Sequence, residues 1–363
     1  MTSRLFSPLK LRGIDLDNRI VVSPMAQYSA DEGGFAGPWH LVHIGQFAVS
    51  GPGLIIMEAA AVQPCGRISR GDLGLWSDDH IAGLRAVTDF THSHGSARIG
   101  IQLAHSGRKG SALAPWLGST ELGPDDGGWD TVSASAIPYP GRRMPQALDA
   151  AGLDALKADY VSAAQRAQQA GFDLLELHCA HGYLLNSFLS AMSNDRTDDY
   201  GGSLANRMRY PLEVFAAIRA AWPEHLPLGV RVSATDWVDG GWTIEDSIAF
   251  AKELKALGCD YVTASSGGIV PEQKITPARG YQVPLAAAIR NQAGIATMAV
   301  GLIEDGPHGE EILADGAADL IALGRGMMYD PRWAWHAAEK MEQQAAFPSQ
   351  YARSHPSMRN RAR

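Results

Sequence analysis

Residues 174–190 read LLELHCAHGYLLNSFLS. The stretch opens on a short apolar run, crosses a polar segment with two histidines and a tyrosine, and continues into a helical pattern. A strand that feeds straight into a helix is part of a strand–helix–strand unit. Outward from it, the same design recurs about eight times along the chain. Apolar, β-rich runs fall at 20–23, 54–57, 99–103, 174–177, 228–232, 261–264, 296–300 and 320–323. Helical patterns lie among them at 153–170, 206–222, 244–257 and 284–292. Near-continuous apolar strands alternating with amphipathic helices imply a parallel sheet buried on both faces. Eight such units favour closure, so the fold class is α/β and the expected architecture is a (β/α)8 TIM barrel. The alternative, an open doubly wound sheet, would usually carry GxGxxG after a strand. No stretch of this chain has that spacing, despite its 39 glycines.

Two segments interrupt the alternation. Residues 5–18 read as a small hairpin able to plug the barrel's N-terminal end, and 104–150, rich in Gly, Pro, Ser and Asp, form a long loop after strand three. Loops of that length inside a compact domain are often functional lids. With 363 residues and 45% of them hydrophobic, residues 1–363 make one barrel domain ending in a polar, Arg-rich tail from 347 to 363. A formal charge of −8 argues against nucleic-acid or acidic-membrane binding. No apolar run approaches the ~18 residues that a membrane span needs. The N-terminal MTSRLFSPLKLRG has no apolar core with a cleavage site. Cys65, Cys179 and Cys259 show no paired spacing, which suits neither a disulfide framework nor an iron–sulfur centre. A reduced, cytoplasmic compartment is expected.

In a barrel, chemistry sits where strands end and the following loops begin. On strand three, Gln102 faces away from Ile99, Ile101 and Leu103. Its donors and acceptor suit the mixed edge of a flavin's pyrimidine ring, or equally a bond to nearby backbone. On strand five, Arg231 lies between Val230 and Val232 and needs an anion, which could be a reduced flavin or a protein carboxylate. Strands seven and eight end in Val300-Gly301 and Gly324-Arg325-Gly326. Exposed glycine N–H groups and an arginine fork there suit a phosphate, although glycine also ends strands for conformational reasons.

His178, His181 and Tyr183 admit three readings. They could begin a metal site, with Glu176 and His105 as further ligands. They could be a structural histidine pair satisfied by backbone. Or the two histidines could hydrogen-bond a carbonyl or nitro oxygen while Tyr183, protonated at neutral pH, delivers a proton.

The stretch Ser193-Asn194-Asp195-Arg196-Thr197-Asp198-Asp199-Tyr200-Gly201-Gly202-Ser203, continued by Asn206-Arg207, resembles the N-x-R-x-D-x-YGGS-x-x-NR signature of the Old Yellow Enzyme family. Within it, Gly201-Gly202 permits a tight turn and Ser203 suits a helix N-cap. Further matches are Ser23-Pro24-Met25 with Tyr28, IQLAHSGRK at 101–109, the HxxHxY segment, Gly280-Tyr281-Gln282-Val283 and Gln350-Tyr351-Ala352-Arg353. They are similar to the thermophilic-like ene-reductase and xenobiotic-reductase branch, over essentially the whole chain. The resemblance implies an FMN cofactor touching Ser23, Pro24, Met25, Ala26, Ala59, Gln102, Arg231, Gly301, Gly324 and Arg325. It implies NADPH or NADH as reductant and a small activated alkene (enone, maleimide or nitroalkene) as substrate. Tyr28, His178 and His181 would hold the substrate oxygen and Tyr183 would protonate the α-carbon. It also implies a homodimer or homotetramer in which Arg353 reaches the neighbouring subunit's site. One residue departs from the branch: Ala26 stands where a cysteine usually follows Pro-Met, so the flavin's reduction potential is expected to differ from that of cysteine-bearing relatives. A dienoyl-CoA-reductase-like enzyme would be longer and carry a cysteine cluster that is absent here.

Overall fold

A computed structural model describes residues 3–354. The N-terminal hairpin pairs β1 (Leu9–Leu11) with β2 (Ile14–Leu16) antiparallel. The chain continues through β3 (Ile20–Val22), α1 (Pro38–Ala48), β4 (Leu54–Ala61), α2 (His80–His94) and β5 (Arg98–Ala104). A long excursion follows, in which two-residue strands β6 (Val132–Ser133) and β7 (Gln146–Ala147) pair with each other. Next come α3 (Ala150–Gln169), β8 (Leu174–Cys179), α4 (Leu184–Leu189), α5 (Leu204–Ala221), β9 (Leu228–Ser233), α6 (Ile244–Ala256) and β10 (Tyr261–Ser265). The last elements are α7 (Val283–Ala293), β11 (Ala296–Ala299), α8 (Gly306–Ala314), β12 (Leu320–Leu323), α9 (Arg325–Tyr329) and α10 (Trp333–Lys340). Among the described residues, no helix is long and apolar enough to cross a membrane.

All eight expected strands are present. They close into a parallel barrel in the order β10, β11, β12, β3, β4, β5, β8, β9, back to β10. Successive side chains on each strand take opposite faces. On β8, Leu175, Leu177 and Cys179 pack outward in the layer shared with the helices, whereas Leu174 packs inside. Inside the barrel, Val21, Leu54, Leu174, Tyr261, Met298 and Leu320 cluster with Leu11, Ile14 and Leu16 of the hairpin. The hairpin therefore plugs the N-terminal end, as its position in the sequence implies. Gly229 makes room for this layer, because a Cβ there would stand 2.2 Å from the Tyr261 ring.

The differences from expectation lie at element ends. β4 runs on to Ala61 through an irregularity between Met57 and Ala59. Its Glu-Ala-Ala-Ala segment has weak strand propensity, and pairing with β5 supplies what local sequence does not. β8 extends to Cys179, which takes His178 out of the loop and into the sheet beside Arg231. α3 begins at Ala150 because Asp149 accepts a hydrogen bond from the Gly152 N–H. Gly202 takes φ +75° and the Ser203 side chain caps α5 by accepting from the Asn206 N–H, as the signature stretch suggests.

Candidate active site

Three neighbouring strands turn from apolar to polar along their inner face as they approach their C-terminal ends. β8 presents Leu174, Glu176 and His178 at alternate positions, β9 Gly229, Arg231 and Ser233, and β10 Tyr261, Thr263 and Ser265. Register aligns His178 with Arg231, Arg231 with Thr263, and Ser233 with Ser265. The Glu176 carboxylate is wholly buried and spans the interior, accepting from Gln102 Nε2 at 2.7 Å and Thr263 Oγ1 at 2.6 Å. Burial raises its pKa, while the charge of Arg231 pulls it back down. Arg231 donates to Ser23 Oγ at 3.3 Å, and its Nε is buried with no hydrogen-bond partner.

His178, at the end of β8, is buried and its Nδ1 accepts the Ala180 N–H at 3.1 Å. An imidazole that accepts at Nδ1 carries its proton on Nε2, so backbone geometry selects the donor tautomer. Burial, then the charges of Arg231 and Lys109, push its pKa well below the usual histidine value, and His178 stays neutral. Burial, Arg231, His178 and Lys109 likewise keep His181 neutral. The His181 Nε2 meets Ser265 Oγ at 2.7 Å. Its backbone takes φ +61°, a conformation few residues with side chains adopt. The His181 N–H donates to Ser233 Oγ at 2.8 Å, and its carbonyl accepts from Lys109 Nζ at 2.8 Å. The loop is thus over-determined, as strained functional loops are.

Tyr183, the residue before α4, brings its ring centroid within 5.1 Å of His178 and 6.4 Å of His181, edge to face in both cases. Burial raises its pKa, reinforced by Tyr28 and Asp72, so the phenol is protonated. Tyr28 also takes a left-handed backbone, φ +52°, and burial pushes its pKa up to about 12. The loop carrying Tyr28 and Ala26 is held by the Gln27 N–H donating to the buried Glu58 at 2.7 Å.

Two cavities border this trio, one at His181 and one at Tyr183. One, of about 580 Å³, lies over the ends of β11 and β12. It gathers Ser23, Pro24, Met25, Arg231, Gly301, Gly324 and Arg325 with His181. Arg325 is exposed at its rim, and Gly301 takes φ +115°, where a Cβ would stand 2.5 Å from the Gln282 amide. The other, about 720 Å³, lies between Tyr28 and Tyr183 on one side and the 112–142 excursion on the other. Ala59 and Gln102 pair in register on β4 and β5, and Ala26 is half-buried on the loop after β3. Arg353 is not brought to this site. It is exposed after a turn that packs on Trp335, and residues 346–350 lie against Gly51 and His94, at the N-terminal end of the barrel.

Glu176 and His105, the further ligands a metal site would need, are each engaged with other side chains, Glu176 with Gln102 and Thr263. His105 is bonded to Gln63 and to the Gly107 N–H, and burial drives its pKa down to about 3. Among the described residues, no three His, Cys, Asp or Glu side chains converge as metal ligands. Sequence reasoning passed over Ser233, Ser265 and Lys109 as site residues. The same two-residue alternation that singles out Arg231 reaches both serines. The Gln102 amide N–H bonds the Glu176 carboxylate, which Thr263 also bonds, a protein partner that its residue type did not suggest.

The model of the NADH:flavin oxidoreductase / NADH oxidase family matches residues 4–344. An NADPH dehydrogenase of Geobacillus sp. (strain WCH70) is 44% identical over 355 residues, covering 97% of this chain and 99% of that protein. The NADPH dehydrogenase of Bacillus subtilis (strain 168) is 43% identical over 354 residues, with the same coverage. Among solved structures, morphinone reductase in complex with tetrahydroNAD superposes with a TM-score of 0.77 at 28% identity, covering 98% of this chain and 93% of that one.

Proposed function

Because the chain belongs to the NADH:flavin oxidoreductase / NADH oxidase family and is a flavin oxidoreductase, we propose that it is an FMN-dependent ene-reductase. The reading has NADPH or NADH as reductant and activated alkenes (enones, maleimides, nitroalkenes) as substrates. The observation that carries it is His178, locked as an Nε2–H donor one strand from a buried arginine whose Nε has no partner.

The residues present fit FMN. A buried polar atom left unpaired costs about 1–3 kcal/mol, so Arg231 suits an acceptor supplied by a ligand. Its charge matches the pyrimidine edge of a flavin, which becomes anionic on reduction. Ser23, Pro24, Met25, Ala26, Ala59 and Gln102 would border the ring, and Gly301, Gly324 and Arg325 would hold the phosphate. The chemistry FMN supplies when bound is hydride transfer, received from the nicotinamide and passed to the alkene's β-carbon.

The chain's own groups supply orientation and protons. The Nε2–H of His178 and the ring of His181 hold the carbonyl or nitro oxygen, with Tyr28 beside them, and stabilise the negative charge that grows there. Both imidazoles are neutral, so they polarise this oxygen without giving up a proton. Tyr183, its phenol protonated and its ring centroid 5.1 Å from that of His178, delivers its proton to the α-carbon. We read the chain as one barrel domain acting in the cytoplasm, in line with its unpaired cysteines. We also assign Arg353 to the site of a neighbouring subunit in a homodimer or homotetramer, since its own chain keeps it at the far end of the barrel.

A visible spectrum tests the proposal. Purified protein should be yellow, bleach with NADPH under anaerobic conditions, and recover colour stoichiometrically on adding cyclohexenone. Bleached enzyme that stays bleached with cyclohexenone, a maleimide and a nitroalkene would refute alkene reduction.

A further inference from the structure

The cavity beyond Tyr183 carries a charge pattern that alkene reduction does not require. Lys109 and Arg142 line it and Arg108 lies behind them, and every hydrogen bond these three side chains donate goes to a main-chain carbonyl. Arg108 is buried and binds the carbonyls of Ile137, Pro138 and Ile269. Lys109 binds those of His181 and Gly268, its Nζ 4.8 Å from the Tyr139 ring centroid and 5.2 Å from that of Tyr183. Arg142 spends Nη1 on the carbonyls of Lys109 and Gly110, and Nη2 on Ser119. Among the described residues none of the three forms an ion pair.

Carbonyls satisfy N–H groups but cancel no charge, so two guanidinium charges, joined by that of Lys109 when it is protonated, stand together without an ion-pair partner. None of the nearby acids forms an ion pair with these three, although Asp236 attracts Arg108 through space. Glu121 lines the cavity, yet its oxygens are taken by the Arg143 N–H and Nε at 2.7 and 3.1 Å. Asp236 is held by Ser190 and the Trp242 N–H, and Asp72 by Ser69 and the Ile68 N–H. Burial and mutual repulsion act on Lys109 in the same direction. Burial first, then Arg142 and Arg108, bring Lys109 down to about 7.

We propose that this cavity is a subsite for an anionic group, a carboxylate or phosphate, carried by the reactant whose oxygen rests on His178 and His181. The inference rests on the ene-reductase reading above and extends it to the part of the ligand remote from the reacting bond. Lys109 keeps one N–H and Arg142 its Nε for such a group, and Ser119 and Thr120 border the same space. Two sources share this chemistry: an alkene with a remote carboxylate, and the phosphates of the nicotinamide cofactor.

The test is equilibrium binding to oxidised holoenzyme by calorimetry, with unreactive ligands in matched pairs. One pair is N-(carboxypropyl)succinimide and its methyl ester; the other is tetrahydroNADP and N-benzyl-tetrahydronicotinamide. In at least one pair the anionic member should bind about tenfold tighter at low salt, and the advantage should shrink as salt screens it. The pair that shows it identifies the source. Arg142→Gln should erase most of the advantage, while Arg142→Lys, which keeps the charge but loses the guanidinium fork, should retain it. Equal affinities within each pair would overturn the proposal. So would an advantage that ignores salt and Arg142→Gln, or one that Arg142→Lys removes as fully as Arg142→Gln, since that marks a structural role. Failure of the underlying reading looks different: bleached enzyme would leave maleimide unreduced whatever the binding ratios.

Discussion

The two ends of the same barrel strands follow opposite rules. At the N-terminal end Leu174, Tyr261 and the hairpin's Leu16 fill the interior with apolar volume, and all are fully or almost fully buried. Four residues further along β8 and β10 the inner face offers His178 and Ser265, with Glu176 and Thr263 between. Glu176 and Thr263 are as buried as Leu174 and Tyr261, so burial does not separate the two ends. Partnership does. Apolar side chains at the plugged end need only contact, and each buried one contributes about 1.5–3 kcal/mol by leaving water. Polar groups at the open end must each find a donor or acceptor. Arg231 Nε does not find one, and Arg108, Lys109 and Arg142 find carbonyls but no ion-pair partner. The plugged end is complete in itself, whereas the open end is built to be completed by ligands.

That contrast can be broken or sharpened by experiment. The largest effect belongs to Tyr183→Phe, which should slow alkene reduction by about 10²–10⁴-fold. Rapid mixing should find flavin reduction by NADPH far less affected, and equal slowing of both half-reactions would remove Tyr183 from its assigned role. At the other end, Leu16→Ala should destabilise the fold by about 3 kcal/mol in chemical denaturation while leaving FMN affinity unchanged. A loss of FMN affinity comparable to the loss of stability would show that the two ends are not independent.

Lys109 supplies a smaller effect that depends on pH. Its pKa falls on folding from 10.5 to about 7, so the unfolded chain binds more protons between those values. Wild-type stability therefore gains from this residue as pH rises across that window, and the gain is lost progressively as pH falls from 10.5 to about 7. Lys109→Met removes the titration. Relative to wild type, the Tm of the variant should compare best at pH 6 and worst near pH 10. A difference in Tm that does not change with pH would mean that the Lys109 amine is neither desolvated nor held beside like charges. The smallest effect expected is that of Ala26→Cys. A thiol there would place a polarisable group with a weak donor beside the flavin, and spectroelectrochemical midpoint potentials should separate the variant from wild type. Identical potentials would make position 26 irrelevant to redox tuning.

Much of this was legible before any coordinates. Each of the eight runs of apolar, β-rich residues became a strand, because period and composition are local properties that survive in the sequence. Gln102 and Arg231 stood out because alternation put them on the face opposite their apolar neighbours. What stayed hidden was who bonds whom. Gln102 meets Glu176, 74 residues away, and Thr263 meets Glu176, 87 residues away. The continuation of β4 beyond 57 was hidden for a related reason, since Ala59, Ala60 and Ala61 become strand only by pairing with Gln102, Leu103 and Ala104.

By itself, then, the sequence determined the barrel, the hairpin plug, the faces of the strands and the membership of the trio His178, His181 and Tyr183. It left that trio open between metal ligands, a structural pair and an oxyanion pair, and only resemblance spoke for the last. The tertiary structure decided the His178 tautomer, through the Ala180 N–H, and the left-handed backbone of His181, through Ser233 and Lys109. It also decided that Lys109 faces the site, with Arg108 and Arg142 as neighbours of like charge. The physical reason is the same throughout. Which face a residue occupies follows from the period of its own strand, but which partner satisfies or repels it depends on register and barrel closure, and those are set by residues far away in the chain.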